Sequence, residues 1–371
     1  MTTFKQFILY VSVFFMLFAT CDRICAEIDP ELADAMQKKL DEYANQYNTS
    51  GGATLAVTIP DQGTWLWAYG MADRQNNIAM KPENMFRIAS ITKTFVSATI
   101  LKLAEENILT LEDSIERWLP GIVPNGENIT ITNLLRHTSG LYDVTNSWND
   151  IVKDLNKIWQ PEEIIAIATA QPPVFAPGTR YSYCNTGYIL LGMIIEAATH
   201  TPVEQVIRNR FLTPLQLNNT FFDVRENIPE GLAKSPSAPF PYTAISSAFL
   251  ACGGMLSDAE DLVKWAESLY SGDVLKPESL DKMLTFTAPS LGYGLGVMKG
   301  YTVMGESFGH DGGLIGYASK MYYIPNTGIT VVALSYDNTG VFATVLKVIL
   351  NPKSVDLSGK LATTWGSIRN N

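Results

Sequence analysis

The chain is poor in the residues on which metal and redox chemistry rest. Its 371 residues include three histidines (His137, His200, His310) and four cysteines. No spacing among them matches a ligand set, so no metal is expected and no cofactor is called for. Positive charge is also short: 27 Lys and Arg stand against 37 Asp and Glu, a net charge of -10. Without a basic cluster the chain is not expected to bind nucleic acid and offers no polybasic membrane anchor. There is no low-complexity tract and no internal repeat, which excludes solenoids and arrays. Apolar runs long enough to cross a bilayer are missing from the body of the chain, so no transmembrane anchor is expected there.

The one strongly apolar run is N-terminal. Lys5 followed by Phe7 to Phe18 reads as an export signal over residues 1–26, cut after Ala26, although Ile24 is larger than the residue preferred there. Cys21 would allow a lipoprotein, but Thr20 is a poor residue before such a site. A secreted or periplasmic protein is the expectation. Cleavage would remove Cys21 and Cys25 and leave Cys184 and Cys252 as an even pair, whose bonding the sequence leaves open.

Periodicity organises the rest. Pro30 to Tyr47 reads as an amphipathic helix ended by Gly51-Gly52. Two strands follow, Ala53–Ile59 and Thr64–Gly70, joined by a turn. Ile129 to Gly140 reads as a helix closed by glycine, and helical patterns recur at Tyr188–Ala198 and Leu262–Leu269. Strand signals return late, at Tyr293–Met298, Gly316–Tyr323 and Gly328–Ser335, before a last helix over Val341–Leu350. Strands at both ends with helices between predict an α+β fold. One antiparallel sheet would come from about 27–90 and 285–355, with a mostly helical insertion at about 91–284, all within one hydrolase domain over 27–371.

Chemistry gathers at Ser90-Ile-Thr-Lys93, where an apolar helical run begins. Residues i and i+3 share a helix face, so Lys93 can bring its amine to the Ser90 hydroxyl. An amine held among apolar side chains gives up its proton more readily and becomes a usable base. Ser279-Leu-Asp-Lys282 repeats the spacing among charged neighbours and reads as a solvated helix start. Tyr183-Cys-Asn185 could relay a proton through its phenol and hold a carbonyl through its amide. Tyr43-Ala-Asn45 and Tyr336-Asp-Asn338 share that pattern, and taken singly all three read as structural. His310-Asp-Gly-Gly313 permits close backbone approach by a ligand, with the Gly313 N–H a candidate oxyanion donor; alone it would pass for a glycine turn with a surface histidine. Gly305-Glu-Ser-Phe-Gly309 matches a nucleophile elbow but has no histidine after His310 to complete a triad, and reads as a strand turn. Gly292-Tyr-Gly-Leu-Gly296 lacks the following helix that phosphate binding needs.

The order Ser-x-x-Lys, Tyr-x-Asn, His-x-Gly resembles the superfamily of class C β-lactamases and serine D-alanyl-D-alanine carboxypeptidases. Phe86–Thr94, Ile129–Leu141, Phe175–Gly178, Cys252–Ser257 and Phe308–Gly313 also resemble its signature segments. The resemblance implies that fold and an acyl-enzyme mechanism. Ser90 would be the nucleophile, Lys93 and Tyr183 would move its proton, and Asn185 would hold the substrate amide. The N–H groups of Ser90 and Gly313 would bind the oxyanion, and His137 would be structural. His310, Asp311, Gly312 and Gly313 would form the third motif, which in the family binds a terminal carboxylate.

Three residues depart from the family pattern, and one of them, Cys184 in place of the more usual serine, should be neutral for the chemistry. His310 replaces a permanently charged lysine, and Asp311 replaces a hydroxyl that contacts the carboxylate. An inward Asp311 would repel an anionic terminus and favour an amine or a neutral ester. The substrate expected first is a D-alanyl-D-alanine peptide such as a peptidoglycan stem. An esterase or D-aminopeptidase stands second, then a β-lactamase, and last a non-catalytic penicillin-binding or scaffold protein.

Overall fold

A computed structural model describes residues 28–46, 51–239, 241–302, 305–336, 340–341 and 344–345. The expected export signal, Cys21, most of the expected last helix and Asn338 lie outside the described residues.

Among the described residues there are ten strands: β1 (Gly52–Ile59), β2 (Gly63–Asp73), β3 (Ile78–Ala79), β4 (Phe86–Arg87), β5 (Phe221–Phe222), β6 (Met255–Ser257), β7 (Met298–Thr302), β8 (Gly305–Leu314), β9 (Tyr317–Ile324) and β10 (Ile329–Ser335). Seven form one antiparallel sheet in the order β3-β2-β1-β10-β9-β8-β7. The first and last strands of the chain thus meet at its centre, where Ala53 opposes Ser335 and Thr58 opposes Thr330. A side-chain period of two then assigns every residue of these strands to a face. Leu55, Val57, Val331 and Ala333 face outward, under the helix α1 (Pro30–Gln46), and join Leu32, Met36 and Leu40 in one apolar cluster. Ala56, Val332 and Leu334 face the other way, into the larger core made with the helices of the middle of the chain.

That middle holds α2 (Thr92–Glu105), α3 (Ile115–Trp118), α4 (Ile131–Leu135), α5 (Trp148–Ile151), α6 (Pro161–Thr169), α7 (Asn185–Thr199) and several shorter or later helices. It also carries a second sheet, β4-β6-β5. The helix α2 is buried on nearly every side, as its apolar composition requires. Phe95 stacks on Trp265 at 4.0 Å, and the Trp265 indole donates to Thr94 at 2.8 Å. Gly192 of α7 lets the short helix Leu250–Gly253 approach, because a Cβ there would lie 2.5 Å from Ala251 Cβ.

Three expectations for local structure change. The helix expected over Ile129–Gly140 spans only Ile131–Leu135, started by a Thr130–Asn133 capping box. His137 then takes φ 56°, and the carbonyls of His137, Thr138 and Gly140 accept from Ser182, Gly178 and Val174 instead of closing a helix. The strand expected at Tyr293–Met298 starts at Met298, since Gly296 at φ 77° turns the chain and Gly294 N–H closes on the Val297 carbonyl. Gly305–Gly309 and His310–Gly313 are not turns: both lie within β8, and the bend to β9 falls at Gly316.

Candidate active site

Ser90 sits in a single 3-10 turn, Ala89–Ile91, just ahead of α2. Three contacts hold that turn. Ile88 donates its N–H to the Met255 carbonyl, its own carbonyl accepts from Ser319 Oγ at 2.8 Å, and Thr92 Oγ1 accepts from Met255 N–H. Ala89 adopts φ 48°, unfavourable for a residue with a Cβ, so the turn is strained next to its serine. Gly312 of β8 packs directly behind: a Cβ there would lie 2.3 Å from the Ile88 carbonyl oxygen. Only glycine lets the strand come this close. Its neighbour Gly313 is exposed and lines the same cleft as Ser90.

Lys93 follows one turn later with no exposed surface. Its Nζ lies 2.9 Å from Ser90 Oγ, 2.9 Å from Asn185 Oδ1 and 2.7 Å from the Cys252 carbonyl. Burial brings its pKa down to about 8, since desolvation penalises the ammonium. The neutral amine is thus far more accessible near neutral pH than in an exposed lysine. The Tyr183 and Tyr188 rings face the same nitrogen at 4.9 and 5.4 Å and offset part of the cost of the charged form.

Tyr183 donates its hydroxyl to Ser90 Oγ at 2.9 Å. Desolvation pushes the phenol well above its ordinary value, so it stays protonated and acts as a donor. The lysine is therefore the base the geometry offers. Tyr183 and Asn185 are both set by helix α7, which starts at Asn185, two residues after Tyr183. The loop before it is gripped by His137: the Cys184 N–H donates to His137 Nδ1 at 3.1 Å, and the Ser182 N–H to the His137 carbonyl. The His137 ring also packs 4.1 Å from the Tyr183 ring. Cys184 and Cys252 are both buried free thiols.

The third motif differs from expectation. His310 is fully buried on the site face of the sheet. Its Nδ1 faces the Asp311 carbonyl, a pure acceptor, so Nδ1 carries the proton and Nε2 accepts from the Tyr293 hydroxyl at 2.9 Å. Desolvation and the Lys93 charge bring its pKa down to about 3. It is a neutral imidazole. Asp311 is placed as a substrate-binding residue by the motif, but β8 alternates and turns its side chain to the opposite face. There it pairs with Lys320 of β9 at 2.7 Å. Neither residue can offer a charge to a substrate beside Ser90.

Among the signals at other positions, Lys282 of the second Ser-x-x-Lys is exposed on a short helix, and Tyr43 and Asn45 belong to α1. Three site features carry no motif: the Cys252 carbonyl on Lys93, Tyr293 on His310, and Asp143, whose carboxylate meets Asn185. The cleft in front of Ser90 measures about 580 Å³ and is walled largely by apolar groups, with Trp148 stacked on Phe249 at 6.0 Å and Leu314 and Ile315 opposite.

A family-level comparison matches residues 36–348 to the beta-lactamase family. The chain belongs to that family. Among curated proteins it is 28% identical over 292 residues to penicillin-binding protein 4* of Bacillus subtilis, covering 72% of this chain and 64% of that one. It is 27% identical to the putative penicillin-binding protein PbpX of the same organism, covering 74% and 71%. The chain thus spans under two thirds of the first of these relatives. Among solved structures, the D-amino acid amidase of Ochrobactrum anthropi SV3 complexed with L-phenylalanine amide superposes with a TM-score of 0.77 at 28% identity, over 87% of this chain and 99% of that one. A D-stereospecific amidohydrolase from a Streptomyces species gives 0.73 at 28% identity, over 85% and 97%. Family match, relatives and superposed structures together place the chain in the β-lactamase and penicillin-binding superfamily.

Proposed function

We propose that this hydrolase cleaves amide or ester bonds of D-amino-acid derivatives whose leaving side carries no carboxylate, such as a D-amino acid amide. The observation that carries the reading is the neutral third motif. His310 is buried and uncharged, Asp311 faces away, and no arginine or lysine stands among the described residues lining the cleft. A terminal carboxylate would enter an apolar cleft without a counterion, at a cost of several kcal/mol. An uncharged amide or ester meets no such cost. The D configuration is taken from the amidase neighbours.

In this reading a neutral Lys93 takes the Ser90 proton as Oγ attacks the carbonyl carbon. The N–H groups of Ser90 and Gly313 receive the oxyanion. The proton taken by Lys93 is given back to the leaving nitrogen or oxygen as its bond to the carbonyl carbon breaks, with the Tyr183 hydroxyl as the relay, and water then releases the acyl group. Export through residues 1–26 belongs to the same proposal.

The relatives named as penicillin-binding proteins support a second reading, hydrolysis of D-alanyl-D-alanine peptides. Release of ammonia from D-phenylalanine amide and of D-alanine from an N-acylated D-Ala-D-Ala peptide should be measured for the wild type and for Ser90→Ala. Amide turnover at least about tenfold above the peptide, lost in the variant, is the expected result. Ser90-dependent release of D-alanine at the higher rate would reverse the assignment.

A further inference from the structure

The loop after α4 brings a carboxylate into the site. Asp143 Oδ1 accepts from the Thr145 N–H at 3.2 Å and from the Asn185 N–H, the first of α7, at 3.2 Å. Its two oxygens also meet Asn185 Nδ2, at 3.4 and 3.2 Å. A carboxylate only accepts hydrogen bonds, so the Asn185 atom against it must be the NH₂ group. That leaves the amide oxygen turned to Lys93 Nζ at 2.9 Å. The flipped amide would set oxygen against carboxylate, acceptor against acceptor, and lose those bonds.

The consequence reaches the base. A neutral amine has two hydrogens and one lone pair. With the Asn185 oxygen and the Cys252 carbonyl as fixed acceptors, both hydrogens are committed and the lone pair points at Ser90 Oγ. Were the Asn185 amide reversed, its NH₂ would compete with the serine for that lone pair.

The titratable groups facing Lys93 come from four elements. They are Tyr183, Cys184 and Tyr188 from α7 and the loop before it, Cys252 from its short helix, His310 from β8, and His137 and Asp143 from the loop after α4. Burial keeps the phenols and thiols protonated, the thiols at about 12, and both imidazoles neutral. Asp143 is the anion in this set.

We propose that Asp143 is a positioning residue for the reaction: through Asn185 it aims the Lys93 lone pair at Ser90, and its negative charge holds the lysine's proton. It does not touch the nucleophile. The proposal rests on the acyl-enzyme reading above.

The test uses Asp143→Asn and, as a variant that keeps a good helix-capping side chain without the charge, Asp143→Ser. Acylation by a chromogenic ester is followed from pH 5 to 10, and the Lys93 ε-carbon is titrated by NMR in protein carrying ¹³C at lysine Cε. In both variants the rate at pH 8 should fall about 10- to 100-fold. The acid limb of the rate should move to lower pH by about half a unit or more, because loss of an anion favours the neutral amine. The NMR midpoint should move with it. In an Asn185→Ala background the rate effect of Asp143→Asn should largely vanish. Folded variants with limb and midpoint both in place, whatever their rate or melting temperature, would overturn the proposal and leave Asp143 as a helix cap. If the wild type shows no Ser90-dependent acylation, the functional reading fails, and the NMR midpoint still decides the electrostatic hold of Asp143 on Lys93.

Discussion

The two faces of the seven-stranded sheet are built to different rules. Under α1 the contacts are apolar, with Leu32, Met36 and Leu40 set against Leu55, Val57, Val331 and Ala333. The opposite face buries Lys93, His137, His310, Ser319, Thr54 and Thr330 together with a larger apolar core. Buried polar groups cost stability unless they are hydrogen-bonded, and here several are imperfectly served: Thr54 Oγ1, Thr330 Oγ1 and His137 Nε2 have no partner among the described residues. One face is dry and uniformly apolar. The other joins the larger apolar core to buried polar groups that cost stability, and the buried lysine is the clearest case.

The sharpest way to break this contrast is to make the site face resemble the other. Lys93→Met should lower turnover by about a thousandfold or more, since the base is gone. It should also raise the melting temperature at pH 7, because a depressed lysine pKa means that the folded state resists protonation. The sign follows from proton binding. Between about pH 8 and the ordinary lysine range the unfolded chain holds more protons than the folded one, so wild-type stability rises with pH across that window. The advantage of Lys93→Met should therefore shrink between pH 7 and 10; thermal melts at both values, with an undiminished gap, would disprove the link.

Next in size is a cut in the dry face. Leu40→Ala removes a fully buried side chain under the sheet and should cost about 2–5 kcal/mol in denaturant unfolding. Turnover per folded molecule should not change. A loss of turnover in fully folded protein would show that the two faces are coupled.

The smallest effect is expected at Asp311. Asp311→Ala breaks a partly exposed pair with Lys320, worth ~0–1 kcal/mol. The ratio of carboxylate-ended to neutral substrates should stay where it is, for Asp311→Thr as well. A changed ratio would put that side chain in the cleft.

Part of this site was legible before any coordinates. Ser90 and Lys93 are tied by local helical spacing, and an apolar run around a lysine announces a perturbed amine. Tyr183, Asn185 and the glycines of the third motif were legible only through the order in which their weak patterns recur. Asp143 escaped because nothing in Leu141-Tyr-Asp143 marks a carboxylate that meets an amide 42 residues later. The Cys252 carbonyl escaped because a main-chain acceptor has no side-chain signature. The direction of Asp311 was not legible because one residue of register in a strand decides its face.

What the sequence determined by itself is therefore whatever depends on neighbours along the chain. It determined the α+β order of elements, the Ser90–Lys93 pair, and the glycines that let β8 close on the nucleophile's turn. Tertiary structure alone decided the charge states and orientations: the neutral His310, the outward Asp311, the lysine near pH 8, and the amide held by Asp143. Each of these depends on which groups distant in sequence exclude water from one another, and desolvation is a property of the packed fold.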